Sequence, residues 1–121
     1  MQVVDEPVLR IMERTTDVGA VIVVVQGEID ISTVEALRSR LADSCQSDAT
    51  VDLRRVEFLD CLGLQLLLDQ HESSTARGWR IDFVQGPPAV RRLFELTGTL
   101  ERLSFIEPAP RRFARVQPAG G

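Results

Sequence analysis

The sequence predicts an α/β fold, a mixed, largely parallel sheet of about five strands packed with three to four helices. Three observations predict it. Short apolar or alternating runs recur between stretches of helical spacing, in the order β-β-α-β-α-β-α-β. One run, residues 20–26 (AVIVVVQ), is β-branched and apolar nearly throughout, as in a strand covered on both faces. Glycine and proline fall mostly where the periodic segments begin or stop.

Taken in order, residues 8–14 (VLRIMER) read as a short first strand and 20–26 as the second, ended by Gly27. After Glu28-Ile29-Asp30-Ile31, Ser32 and Glu35 have the spacing of a capping box at a helix start. Val34, Leu37, Leu41 and Cys45 follow at helical spacing as its inner face, and residues 44–49 read as a loop. Residues 50–53 make a brief third strand, with Phe58-Leu59 as a hydrophobic plug before Asp60-Cys61-Leu62-Gly63. A second helix runs from Leu62 to about Ala76, with Leu64, Leu67, Leu68 and His71 on one stripe and Gly78 as its stop. Residues 79–84 alternate as a strand. Pro87-Pro88 open a third helix with Val90, Leu93, Phe94 and Thr97 inward, Gly98 stops it, and Leu103–Ile106 form a last strand. The 121 residues suit one domain, read as an arm over 1–7, the domain over 8–107 and a Pro/Arg-containing tail over 108–121.

Composition excludes several functions. The hydrophobic share of 44% and charged share of 26% are those of a globular chain. No apolar run reaches the ~20 residues of a membrane span, and the Met1 end has no signal-peptide pattern, so a cytoplasmic protein without membrane attachment is expected. All 14 basic residues are Arg, and three of them lie in 108–121, leaving 11 against 18 acids on residues 1–107. An acidic body is a poor match for nucleic acid. One His and two Cys fall short of a metal set, and the glycines form no phosphate-binding pattern. His71 has no nucleophile and orienting acid placed with it, so neither an enzyme nor a cofactor is expected.

Gly27-Glu28-Ile29-Asp30, then residues 50–63 (TVDLRRVEFLDCLG), then 86–98 (GPPAVRRLFELTG) occur in an order and spacing that resemble the STAS domain of bacterial anti-sigma factor antagonists. The resemblance covers about residues 8–107. It implies binding to an anti-sigma factor, often a serine kinase of the histidine-kinase-like ATPase superfamily, so that a sigma factor is freed for transcription. It also implies a phosphorylation switch in an Asp-Ser-Ser/Thr-Gly motif at the start of the second helix. Here Asp60 and Gly63 match, Cys61 replaces the first hydroxyl residue, and Leu62 stands at the acceptor position. Leucine has no hydroxyl to phosphorylate.

The expected docking surface comprises Asp30, Ser32, Thr33, Asp60, Cys61, Leu62, Gly63 and Leu64. Each has a plainer role beside it. Asp60 either contacts the partner or caps the helix, and Asp30 is a contact or a turn residue. Ser32 reads foremost as a cap, with Ser32 and Thr33 also the hydroxyls nearest the motif for a displaced phosphosite. Cys61 is a redox-capable thiol or a small replacement for serine. A Cys45–Cys61 disulfide is poor geometry, because the two fall at opposite ends of the sheet. Leu62 is an exposed contact or turns inward, while Phe58, Leu59 and the leucines of the second helix are expected in the core. A second functional class also fits: a permanent scaffold or accessory subunit of a signalling or transporter assembly, for which a missing acceptor is no loss.

Overall fold

A computed structural model describes residues 8–107; the arm and the tail read from the sequence lie outside them. Five strands, β1 (Leu9–Thr15), β2 (Val21–Ile29), β3 (Ala49–Leu59), β4 (Ile81–Val84) and β5 (Phe105–Ile106), form one sheet in sequential order. β1 runs antiparallel to β2, and the remaining pairs are parallel. The parallel pairs are joined through three helices, α1 (Val34–Ser44), α2 (Cys61–Ala76) and α3 (Pro88–Thr97), with a short 3-10 turn at Leu100–Arg102. The predicted fold class is the one observed.

The core lies between one face of the sheet and these helices. Val23, Val25 and Ile29 of β2, Val51 and Leu53 of β3 and Phe83 of β4 are fully buried against Leu37, Leu41, Leu67 and Phe94. Phe105 closes the far end, with its ring 5.3 Å from Phe94 and 6.1 Å from Phe83, the first pair edge-on. The intervening residues point to the other face, which is only partly covered: Ile22 and Val24 are half-buried. The run 20–26 is thus fully buried on one face alone, short of the two-sided cover expected for it.

On that second face one cross-sheet row reads Met12, Val24, Asp52, Val84, Ile106. Asp52 is buried, and Arg54 meets it with its Nη2 2.8 Å from Oδ2 and its backbone N–H 3.0 Å from Oδ1. Burial alone would push this carboxyl up. The hydrogen bonds and charge of Arg54, with the charge of Arg55, outweigh that and hold it below the usual range. Arg54→Ala is expected to cost about 1–2 kcal/mol at neutral pH, less than for a fully buried pair because the arginine is half-exposed. The folded-state pKa of Asp52 is lowered, so the pair stabilises above the unfolded value near ~4 and is lost as pH falls through the folded one. Urea unfolding should therefore show the gap between variant and parent closing below roughly pH 4. A gap unchanged at strongly acid pH would contradict this account.

Two sequence assignments change in length. The brief third strand is 11 residues long, because residues 53–59 stay paired with β2 through two register shifts. The strand expected over 79–84 begins only at Ile81, and the one over Leu103–Ile106 shrinks to two residues behind the 3-10 turn. Thr97 is exposed, its hydroxyl donating to the Leu93 carbonyl at 2.8 Å, and so lies outside the inner face of α3. Gly27 belongs inside β2, where φ is +113° and an added Cβ would collide with the Val8 carbonyl. Every described residue with positive φ is a glycine.

Candidate functional site

The parallel register of β2 and β3 ends at Ile29 opposite Leu59, so the next residue of each, Asp30 and Asp60, emerges at the same edge. One backbone bond ties the two exits, the Asp60 N–H donating to the Ile29 carbonyl at 3.2 Å. Each aspartate then folds its own loop in the same way. Asp60 Oδ1 accepts from the N–H groups of Leu62 and Gly63, both at 3.0 Å, and so caps α2. Asp30 Oδ1 accepts from the Ser32 N–H at 2.9 Å and the Ser32 hydroxyl at 2.7 Å. Those Ser32 bonds, the hydroxyl's foremost, hold the Asp30 carboxyl below the usual carboxylate range.

Ser32 is therefore not the cap of α1. Thr33 occupies the cap position, and its hydroxyl also turns away from the helix. It accepts from the Asp30 N–H at 3.0 Å and donates to the Glu28 carbonyl at 2.8 Å. A capping box loses here because Asp30, two residues upstream of Ser32, offers a charged acceptor. Thr33 is buried and both bonds of its hydroxyl are satisfied, whereas Ser32 is exposed.

α2 starts one residue earlier than expected, at Cys61. Gly63 and Leu64 turn inward and are buried, while Cys61 and Leu62 face solvent, Leu62 with 46% of its surface exposed. Of the alternatives for Leu62, the outward one holds. Gly63 is required by proximity: an added Cβ would lie 2.5 Å from Leu59 Cδ1 and 2.6 Å from Ile29 Cγ2, so α2 rests directly on the ends of both strands. Two apolar residues join this edge that sequence reading did not place there. Ile31 is 75% exposed between Asp30 and Ser32, and Phe58, expected in the core, is 49% exposed. Ile31 carried a signal, an apolar residue inside a polar loop. Phe58 did not, because the register shift that turns it outward is invisible in composition.

The two thiols are both free; Cys61 is exposed and Cys45 is buried at the far end of the 11-residue β3. A strand of that length spans roughly 35 Å, which rules out a bridge between them. Burial, helped by the Glu13 carboxylate, pushes the Cys45 thiol up to about 11. One thiol per native chain is expected to react promptly with a disulfide reagent, and the second only on unfolding. Equal rates for both would contradict these positions. His71 is half-buried with its ring 6.4 Å from that of Phe83. Among the described residues no three of His, Cys, Asp and Glu gather as a metal site, and no helix is long and apolar enough to cross a membrane.

The edge thus presents two carboxylates beside outward apolar side chains, on loops drawn together by the sheet itself. A family model described as Mlab, STAS domain matches residues 12–105. The fold is similar to the crystal structure of an anti-sigma factor antagonist from Mycobacterium paratuberculosis, with a TM-score of 0.72 and 28% identity over 97% of this chain and 99% of that one. It is also similar to the Bacillus cell fate determinant SpoIIAA in its phosphorylated form, with a TM-score of 0.63 and 19% identity over 88% of this chain and 99% of the other. A putative anti-sigma factor antagonist of Thermotoga maritima gives a TM-score of 0.70 at 16% identity, covering 88% of this chain and 94% of that one.

Proposed function

Because the chain belongs to the STAS domain family, we propose that it is a non-enzymatic docking regulator that binds an anti-sigma factor or related kinase-like protein. The docking surface is the sheet edge carrying Asp30 and Asp60, with Ser32, Cys61 and Leu62 exposed in the two loops, while buried Thr33 holds the first loop and Gly63 and Leu64 set the pose of α2 beneath them. The observation that carries this reading is the outward Leu62 beside a capping aspartate. With Ile31 also exposed on the same edge, Leu62 offers the proposed partner an apolar anchor at the first turn of the helix. The structural likeness to the anti-sigma factor antagonist of Mycobacterium paratuberculosis supports the class of partner.

Leu62 also defines the mode of control. In the family pattern a phosphate at this place adds ≈ −1.5 to −2 charge to the docking surface and expels the partner. Leucine removes that route, so docking here is constitutive with respect to position 62. Exposed Ser32 is the remaining hydroxyl of the edge with access to a kinase. A second reading, a permanent accessory subunit of a signalling or transporter assembly, is favoured by the same missing hydroxyl.

Affinity purification from the native host followed by Asp60→Arg tests the surface. The variant is expected to lose captured partner by at least about tenfold, since it places a cation where a carboxylate stood. Asp60→Asn keeps the cap and separates docking from folding, because asparagine caps helices as well as aspartate does. Partner capture unchanged in Asp60→Arg would sink the docking surface. A captured transporter or scaffold component in place of a kinase-like protein would select the second reading.

A further inference from the structure

The sheet face turned away from the helices carries a trough that starts where the described residues start. Three adjoining hollows form it. The first, of about 260 Å³, opens beside Val8 and is lined by Arg10, Gln26 and Glu57 among others. The second, of about 420 Å³, shares Gln26 and Glu57 and passes over Arg54 and Arg55. The third, of about 360 Å³, shares those two arginines and ends on Met12, Val24 and Asp52. Its apolar floor is only partly covered, with Met12 39% exposed and Val24 half-buried. Val8 is fixed at the entrance, its carbonyl accepting from the Glu28 N–H at 2.8 Å.

Charge and reach choose the occupant. Arg10, Arg14, Arg54 and Arg55 line the trough against the acids Glu28, Asp52 and Glu57. Residues 8–107 as a whole carry 11 arginines and 16 acids, so this face is basic relative to its surroundings. Arg54 is paired with Asp52, but Arg10, Arg14 and Arg55 have no ion pair among the described residues. A second copy would bring the same arginines to the contact. Residues 108–121 carry three arginines and no acid. Residues 1–7 (MQVVDEP) are the complement, joining the apolar pair Val3-Val4 to the acidic pair Asp5-Glu6 and leading directly into Val8. Pro7 has no N–H with which to prolong the β1 ladder. Six extended residues reach about 20 Å, whereas Met12 lies about 13 Å from Val8 along β1.

We infer that residues 1–6 fold back over this face as a strap, with Asp5 and Glu6 beside Arg10 and Arg55 and with Val3 and Val4 on Met12 and Val24. The order of the two segments agrees. In the arm the acids are nearer to Val8 than the valines are, and in the sheet the row of Arg10, Gln26 and Arg55 is nearer to Val8 than the row of Met12 and Val24. Tethering gives the arm an effective concentration on the order of millimolar, so individually weak contacts suffice to seat it. Seated there, the strap denies the face to acidic, apolar segments of other proteins. The contact is independent of the docking reading, which concerns the loops beyond the strand ends.

In the isotope-labelled full chain, nuclear Overhauser contacts are expected between the methyls of Val3 and Val4 and the side chains of Met12 and Val24. Asp5→Arg with Glu6→Arg should abolish them, and adding Arg10→Glu with Arg55→Glu should bring them back. Removing residues 1–6 should shift the amides of Arg10, Met12, Val24 and Arg55. No contact from Val3 or Val4 to this face, or shifts on removal that stop at Val8 and Leu9, would overturn the proposal. So would contacts that survive the two arginine changes or that the reversed pairs fail to restore. Contacts seen only between labelled and unlabelled copies would overturn it as well, because the arm would then lie on a second copy.

Discussion

Leu62→Glu is expected to weaken the captured partner's binding by about 30-fold, roughly 2 kcal/mol, without loss of stability. The side chain is 46% exposed, so the fold gives up little packing when it changes. Glutamate in the first turn of α2 also meets the positive end of the helix, which stabilises an acid there by about 0.3–1 kcal/mol. The partner meets the opposite situation: a charge must be desolvated where an apolar anchor was buried. Opposite signs in the two measurements, a level or slightly raised melting temperature and a reduced affinity, identify an interface residue. Titration calorimetry beside thermal unfolding reads both. Equal affinities for parent and variant would remove Leu62 from the interface. Leu62→Ser is the complementary change, and a kinase-type partner is expected to phosphorylate it and then release it.

Gly63→Val should act through the fold. Its Cβ would stand within 2.6 Å of side-chain atoms from both Leu59 and Ile29, and the branched methyls would reach further into the same fully packed junction. Ile29 is β-branched and completely buried, so it has nowhere to rotate. A loss of about 3 kcal/mol follows, the upper range for overpacking, with a fall in melting temperature of roughly 12 °C or more. Gly63→Ala should lose less, since alanine regains up to about 1 kcal/mol of helix propensity. Both variants should also bind partner more weakly, because the first turn of α2 must lift away from the strand ends. A melting temperature within about 2 °C of the parent for the valine variant would refute the close approach described here.

The contrast between these neighbours marks what could be read from the chain. The fold was legible because burial on the helix-covered face is periodic. Leu37 and Leu41 announce themselves by spacing, the run over 20–26 announces a strand by its β-branched residues, and Gly98 and Gly78 stop their helices as glycine usually does. The placing of Asp30 beside Asp60 was implied by the family resemblance, and the parallel register of β2 and β3 agrees with it. Other features were hidden because they depend on neighbours distant in sequence. Arg54-Arg55-Val56-Glu57 lies beyond the strand read over 50–53, yet it continues β3 because β2 supplies hydrogen bonds on one side. Ser32 has the spacing of a cap, but a carboxylate two residues upstream draws in both its hydroxyl and its N–H. Phe58 reads as core and stands in solvent because a register shift between Gly27 and Glu28 turns it outward.

The confinement of positive φ angles to glycines has a consequence for how such an edge works. The loops at Asp30 and Asp60 contain no left-handed non-glycine residue and are tied by ordinary hydrogen bonds. As the docking surface proposed above, this edge would meet its partner without first moving a residue out of the left-handed region. Release of the proposed partner would then come from new charge, a competitor for the same edge or a partner that changes shape.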